Sequence, residues 1–229
     1  MSVFVMYNQT SRPSARTLAR AIKATCEELL VIRGLPTSKR LRERKFDYVI
    51  NVGNSQKCVI PEGTVVINPP SKIAVSANKR IARMRFRARK VPAPQMWLRA
   101  SEVPASEFPV IGRTTYHMKA NGFWFCNSPQ EAIAAERAGA THFLKFIRNT
   151  REFRAHVFAT SLEPNTENDY IIARLTEKRN TSKDKSTIIK NHDNGYRFVA
   201  PYRGDPEVLT SVRDVARLTL SKFGLHYGA

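Results

Sequence analysis

The sequence predicts a small open α/β unit at its start, then a long basic helix, then a stretch in which strands and helices mix. Three observations carry that reading. Short apolar runs alternate with one amphipathic segment through residues 1–70. A cationic segment with helical spacing follows it, and beyond Phe108 strand-length apolar runs are separated by helix-like segments.

The elements follow in order. Val3 to Tyr7 (VFVMY) is a short apolar run with no basic region before it, so it reads as a first strand rather than a signal peptide. A polar turn, NQTSRPS, leads to Ala15–Glu27, where Leu18, Ala21, Ile22 and Cys26 form one stripe; Ser11 or Ser14 would cap this helix, and Pro13 suits its first turn. LLVIRG (Leu29 to Gly34), FDYVINV (Phe46 to Val52) and VVIN (Val65 to Asn68) are the next strands. Ser71 to Lys90 predicts one helix, with Ile73, Ala74, Ala77, Ile81, Met84 and Ala88 on an arc of about 100°. Arg80, Arg83, Arg87 and Lys90 line a separate stripe, and the turn Pro92 to Pro94 ends the helix.

Further on, FPVIG (Phe108 to Gly112) and FWFC (Phe123 to Cys126) are strands joined by the polar loop TTYHMKAN. Ser128, Pro129 and Glu131 have the spacing of a capping box, opening a helix that runs to Ala138 and closes at Gly139. HFLKFI (His142 to Ile147), FRAHVFAT (Phe153 to Thr160), DYIIARLTEK (Asp169 to Lys178) and YRFVA (Tyr196 to Ala200) are strands, and Pro206 to Phe223 is a final amphipathic helix. The domain division expected is 1–70, a basic linker helix over 71–94, then 95–141 and 142–229.

Composition narrows the function. At 229 residues, 42% apolar and 25% charged, the chain has ordinary globular composition and no apolar stretch of transmembrane length. Cys26, Cys58 and Cys126 are widely spaced and match no zinc or disulfide pattern, which suits a reduced, cytoplasmic protein. The formal net charge is +19. Ser71 to Ala100 holds nine basic residues and no acidic one, and Arg33 to Lys45 holds six against Glu43. Such a field draws nucleic acid, nucleotides or an acidic protein partner. The five histidines show no helical metal spacing, and HExxH, GxSxG, Walker A and GxGxxG motifs are absent.

What remains is an ordered series of cations at strand ends: Arg113, Lys119, Arg154 beside Glu152, Lys178 with Arg179, and Lys190 with Asn191. Taken singly, each also fits an exposed sheet position. Fanned around one cleft, they suit a triphosphate, with its roughly four negative charges.

The same order resembles the ATP-grasp family. INPPSKIAVSANKRIARMRFRARKVPAPQ (Ile67 to Gln95) is similar to the family's linker, with Asn78 and Lys79 as its Asn-Lys pair. FPVIGR (Phe108 to Arg113) resembles the strand bearing the first phosphate cation, and TTYHMKANGFWFC (Thr114 to Cys126) the phosphate loop and returning strand. HFLKFIRNTREFRAHVF (His142 to Phe158) resembles the adenine hinge and the "EfRvhV" strand, and LTEKR (Leu175 to Arg179) the second cation strand. IIKNHDNGYRF (Ile188 to Phe198) and FGLHYGA (Phe223 to Ala229) resemble the segments near the transferred phosphate and before the last catalytic strand. Closest is the ribosomal-protein glutamate ligase branch, together with ligase-like phage proteins, which would place the chain in the host cytoplasm.

The resemblance implies two α+β subdomains with ATP between them, the adenine against Lys145, Phe146 and Ile147. Lys79, Arg113, Lys119, Gly122 and Glu152 would help bind the cofactor; Arg154, Lys178, Lys190 and Asn191 would be catalytic. A carboxylate would become an acyl phosphate, then an amide to an amino acid or peptide, with Mg²⁺ bridging the phosphates. The sequence departs from the pattern in three places. Gly122 is the one glycine of the phosphate loop, Lys145 stands where an acid is usual, and the run stops at Ala229 before the family's Asp and Glu-x-Asn metal ligands. Asn191 is then the candidate metal ligand, and a truncated, split or catalytically lost ligase is expected. The alternative function is a degenerate scaffold serving as a basic module for nucleic acid or an acidic partner.

Overall fold

The computed structural model describes residues 1–116, 122–148, 151–181, 188–190, 194–199, 202 and 204–228. Among these, three four-stranded sheets carry the molecule.

The first sheet is wholly parallel, in the order β2 (Leu30–Gly34), β1 (Ser2–Tyr7), β3 (Tyr48–Val52), β4 (Val65–Ile67). Strand periodicity divides β1 between two cores. Val3 and Val5 meet Ala15 and Ala19 of helix α1 (Arg12–Thr25), while Phe4 and Met6 meet Phe46 and Leu41, the latter from the short helix α2 (Lys39–Glu43). Both faces are covered, which is why β1 reads as an unbroken apolar run. Ser11 occupies the N-cap position but does not cap; its hydroxyl bonds to the carbonyl of Val52 and ties the loop after β1 to the end of β3. α2 had no apolar periodicity long enough to predict it.

The helix expected over Ser71–Lys90 is two helices, α3 (Pro70–Ala77) and α4 (Lys79–Ala88). They are broken at Asn78, whose backbone is extended and whose side-chain oxygen accepts a 2.9 Å hydrogen bond from the Ile81 N–H. Asn is a strong N-cap, and the break resets the helical phase. The stripe expected from one continuous wheel therefore fails in α4: Ile81 and Met84 are exposed at 43% and 48%, while Ala82 is buried. Phe86, not on that stripe, meets Phe223 edge-on with centroids 5.3 Å apart.

The second sheet is antiparallel, in the order β5 (Met96–Trp97), β8 (His142–Lys145), β6 (Val110–Arg113), β7 (Phe123–Cys126). Helix α5 (Pro129–Arg137) covers one face. The capping box closes one residue early: Ser128 accepts from Glu131 N at 3.3 Å, but the Glu131 carboxylate takes the N–H of Asn127 at 2.9 Å. β8 belongs to this sheet, so the boundary expected between 141 and 142 falls inside it. The crossover to the third sheet comes after Lys145.

That third sheet, also antiparallel, runs β11 (Tyr196–Val199), β10 (Tyr170–Asn180), β9 (Glu152–Ala159), β12 (Tyr227–Gly228). Helix α6 (Pro206–Phe223) lies on one face, where Leu220 and Phe223 pack with Val157 and Tyr170; Gly224 ends it in the left-handed conformation. α4 joins the same core through Ala82 and Phe86.

Candidate active site

Each antiparallel sheet keeps one face clear of its helix. In the second sheet, α5 packs on the face of Val110, Cys126 and Phe143. Periodicity sends Ile111 and Arg113 to the other face, with their partners Phe125 and Phe123 on β7 and Leu144 and His142 on β8. Phe146, just past β8, meets Phe125 edge-on with centroids 5.0 Å apart. The result is an apolar floor with one cation at its rim, Arg113, whose guanidinium lies 5.2 Å from the Phe123 ring centre.

α4 begins beside that cation. The Lys79 N–H donates to the Thr115 carbonyl at 3.1 Å, and the Asn78 side-chain amide donates to the Tyr116 hydroxyl at 3.2 Å. Lys79 keeps an exposed surface, yet protein atoms crowd its ammonium. That crowding lowers its pKa, and the charges of Arg83 and Arg113 lower it further. Burial, then Arg83, lowers Arg113, and burial lowers Arg83. None of the five ion pairs among the described residues includes Lys79, Arg83 or Arg113.

The third sheet presents a second cationic group. Glu152, Arg154, His156 and Phe158 alternate on β9, away from α6, and pair with Lys178, Thr176, Arg174 and Ile171 on β10. Lys178 Nζ meets Glu152 Oε1 at 2.7 Å, and Phe198 of β11 lies opposite Lys178. The Phe198 ring carries two cations: Arg154 at 4.0 Å and Lys178 at 5.6 Å from its centre. His156 is lowered by burial first, then by Arg154 and Arg174, and so favours its neutral form.

The expected site residues thus fall into distinct places. Lys79 and Arg113 come together, as do Arg154, Lys178 and Glu152. Lys145 does not join either group. It pairs with Val110 on the α5-covered face, and its ammonium meets Glu107 at 2.7 Å. Its N–H donates to the Gln95 carbonyl at 2.9 Å, and that of Phe146 to Pro109 at 3.3 Å; Ile147 follows, exposed at 51%. Gly122 has φ +63°, where a side chain would run into Thr114, and its carbonyl accepts from Thr114 N at 3.3 Å. It closes the mouth of the β6–β7 loop. Lys190 is partly buried. Lys119 and Asn191 lie outside the described residues.

Two contributors were not among the expected site residues. Arg83 carried a signal, standing four residues after Lys79 and so on the same helix face. Phe198 carried none, because only strand pairing brings it to Arg154. For magnesium, the described residues gather no cluster of three or more His, Cys, Asp or Glu side chains. They do not supply a protein cage for the ion.

No family model matches the sequence, and no curated protein matches it. Solved structures do match. The VanG D-Ala:D-Ser ligase from Enterococcus faecalis superposes with a TM-score of 0.67 at 15% identity, over 98% of this chain and 83% of that one. The D-alanine–D-alanine ligase from Bacillus anthracis gives 0.64 at 11% identity over 99% and 80%; a further structure of that ligase is complexed with ATP. The N5-carboxyaminoimidazole ribonucleotide synthetase from Thermotoga maritima gives 0.61 at 13% identity over 97% of this chain and 61% of that one. At these identities the likeness defines the fold, and the fold is ATP-grasp: a parallel α/β unit followed by two α+β sheets.

Proposed function

We propose that the chain is an ATP-dependent carboxylate–amine ligase, attaching an amino acid or peptide to a carboxylate acceptor through an acyl phosphate. The supporting observations are the apolar floor of the second sheet, rimmed by Lys79 and Arg113, and the third-sheet face that bears Arg154 and Lys178. Ile111, Phe125, Leu144 and Phe146 offer apolar surface to a purine, with the backbone of Lys145 to Ile147 at its edge. Lys79, Arg113 and Lys119 would neutralise phosphate oxygens. Arg154 and Lys178 would hold the transferred phosphoryl group, Glu152 positioning Lys178, and the motif order assigns Lys190 and Asn191 to the same step.

In the reaction, an acceptor carboxylate oxygen attacks the γ-phosphorus and ADP leaves. An amine then attacks the acyl carbon, phosphate leaves, and the amine proton passes to solvent. The side chains act by placement and charge. Magnesium, when bound, would neutralise phosphate oxygens; the described residues contribute no carboxylate cluster to it. Within the fold, the motif order favours the ribosomal-protein glutamate ligase branch and a phage-type protein. No helix among the described residues is long and apolar enough to cross a membrane, and we place the protein in the cytoplasm.

Hydroxylamine trapping tests this reading. With ATP, hydroxylamine and a panel of glutamate-terminated peptides and free amino acids, the protein is expected to release ADP and form hydroxamate. ADP release at the protein-free rate across the whole panel would contradict it.

One observation favours a second reading, the basic binding module. Arg12, Arg16, Arg20 and Lys23 lie on one exposed face of α1, which has no acid in its first turn. Arg12 in the first turn opposes the macrodipole, so helix stability does not account for it, whereas Lys23 in the last turn suits it. Nucleic-acid binding through this face would fall with salt by roughly one log-log slope unit per phosphate contacted.

A further inference from the structure

We propose that Arg83 is a third anion-binding residue, forming with Lys79 and Arg113 a cationic pocket for the polyphosphate chain of the nucleotide. The inference rests on the nucleotide-binding reading above and adds to it a residue that the motif order does not mark.

The geometry begins in α4. Lys79 and Arg83 stand at i and i+4, so their Cβ atoms are about 5–6 Å apart on one face. The helix is fixed against rotation. Ala82 and Phe86 sit in the α6 core, and the Lys79 N–H is held by the Thr115 carbonyl at 3.1 Å. This places the Lys79–Arg83 face against the end of β6, where Arg113 stands. Two rings then seat the two guanidinium groups: Phe86 lies 5.4 Å from Arg83 and Phe123 5.2 Å from Arg113. A guanidinium stacked on a ring keeps its N–H donors directed outward in plane, the geometry that suits phosphate oxygens.

The electrostatics point the same way. Three cations are held together, with Arg83 and Arg113 only partly exposed, and no carboxylate among the described residues pairs with any of them. Burial lowers the pKa of each, and the neighbouring charges lower Lys79 and Arg113 further, so the cluster is crowded and mutually repulsive without an anion. Phe86 and Ala82, not Arg83, are the α4 side chains that enter the core. An anion would relieve the repulsion, and a polyphosphate chain carries enough charge for all three.

Three variants and two measurements test this. Arg83→Met keeps the stem and removes the charge, Arg83→Lys keeps the charge, and Arg113→Ala removes a cation already assigned to the site. Binding of ATP and of inorganic tripolyphosphate is measured by calorimetry, and the ligand-free proteins are melted. Arg83→Met is expected to weaken both ligands by about tenfold or more, with a melting temperature equal to or above wild type. Arg83→Lys is expected to recover most of the affinity. Wild-type affinity in Arg83→Met, with loss in Arg113→Ala, overturns the role of Arg83 and leaves the nucleotide reading standing. A lower melting temperature with unchanged affinity makes Arg83 structural and also overturns it. Tripolyphosphate bound by wild type without ATP preserves the anion pocket and removes the nucleotide reading. Binding of neither removes both.

Discussion

Asn68 joins the first sheet to the third through one side chain. It is buried with φ +58°, a conformation Asn tolerates better than most residues. Its Oδ1 accepts from His226 N at 2.7 Å and Tyr227 N at 3.3 Å, its Nδ2 donates to the Tyr227 carbonyl at 3.0 Å, and its carbonyl accepts from Asn51 Nδ2 at 2.9 Å. The Tyr227 hydroxyl donates to the Asn51 carbonyl at 2.6 Å, and burial pushes that phenol up to about 12 despite the opposing Asn68 hydrogen bond. Asn68→Ala leaves several buried polar groups without partners and is expected to cost about 2–4 kcal/mol in chemical unfolding. Glu177 is a second residue with a measurable consequence. Burial alone would raise its pKa, but hydrogen bonds from Arg151 at 2.8 Å and Arg179 at 2.8–2.9 Å outweigh that and lower it. A lowered carboxylate adds stability above its unfolded value, about pH 4.3, and loses it as pH falls through the folded value. Glu177→Gln should therefore melt about 2–5 °C below wild type near neutral pH, the gap closing below about pH 4. The strand positions of Arg113, Arg154 and Lys178 were legible, since these residues end or alternate on apolar runs. The pairing of Lys145 with Glu107 was not, because the face a side chain takes depends on its strand partners.

At the scale of elements, the break at Asn78 matters most. The sequence shows helix formers on both sides of it, so a single wheel over Ser71–Lys90 was the natural expectation. The local competition between an Asn cap and one more helical turn decided otherwise. The break aims α4 so that Ala82 and Phe86 enter the core and the Lys79–Arg83 face meets β6. Asn78→Ala removes the hydrogen bond to Ile81 and is expected to cost about 1 kcal/mol of stability. It also favours a continuous helix, which swings Lys79 away from Arg113. Nucleotide affinity should then fall by more than the stability loss explains, and equal affinity in the variant would show that the break does not set the site. The final helix, by contrast, was readable end to end as Pro206 to Phe223, because its amphipathic spacing is local, and the structure adds Asp205 as its cap and Gly224 as its stop.

For the whole molecule, the open α/β first unit was legible from its alternation, and the two α+β units came from the motif order. Where one sheet gives way to the next was not legible. The expected boundary at 141 and 142 cut off β8, since nothing in HFLKFI says that it pairs with β5 and β6. Lys79 and Arg83 reach Arg113 only because long-range contacts hold α4 at the end of β6, and Arg154 reaches Lys178 and Phe198 only through the pairing of β9, β10 and β11. The central claim is that these two cationic groups bind ATP, and calorimetry tests it most directly, on wild type and on Arg113→Ala and Lys178→Ala, with and without magnesium. The account predicts saturable ATP binding to wild type, weakened by about 2–3 kcal/mol in Arg113→Ala and by less in Lys178→Ala, whose charge Glu152 already meets. Equal binding to all three proteins, or none to wild type under either condition, would contradict it.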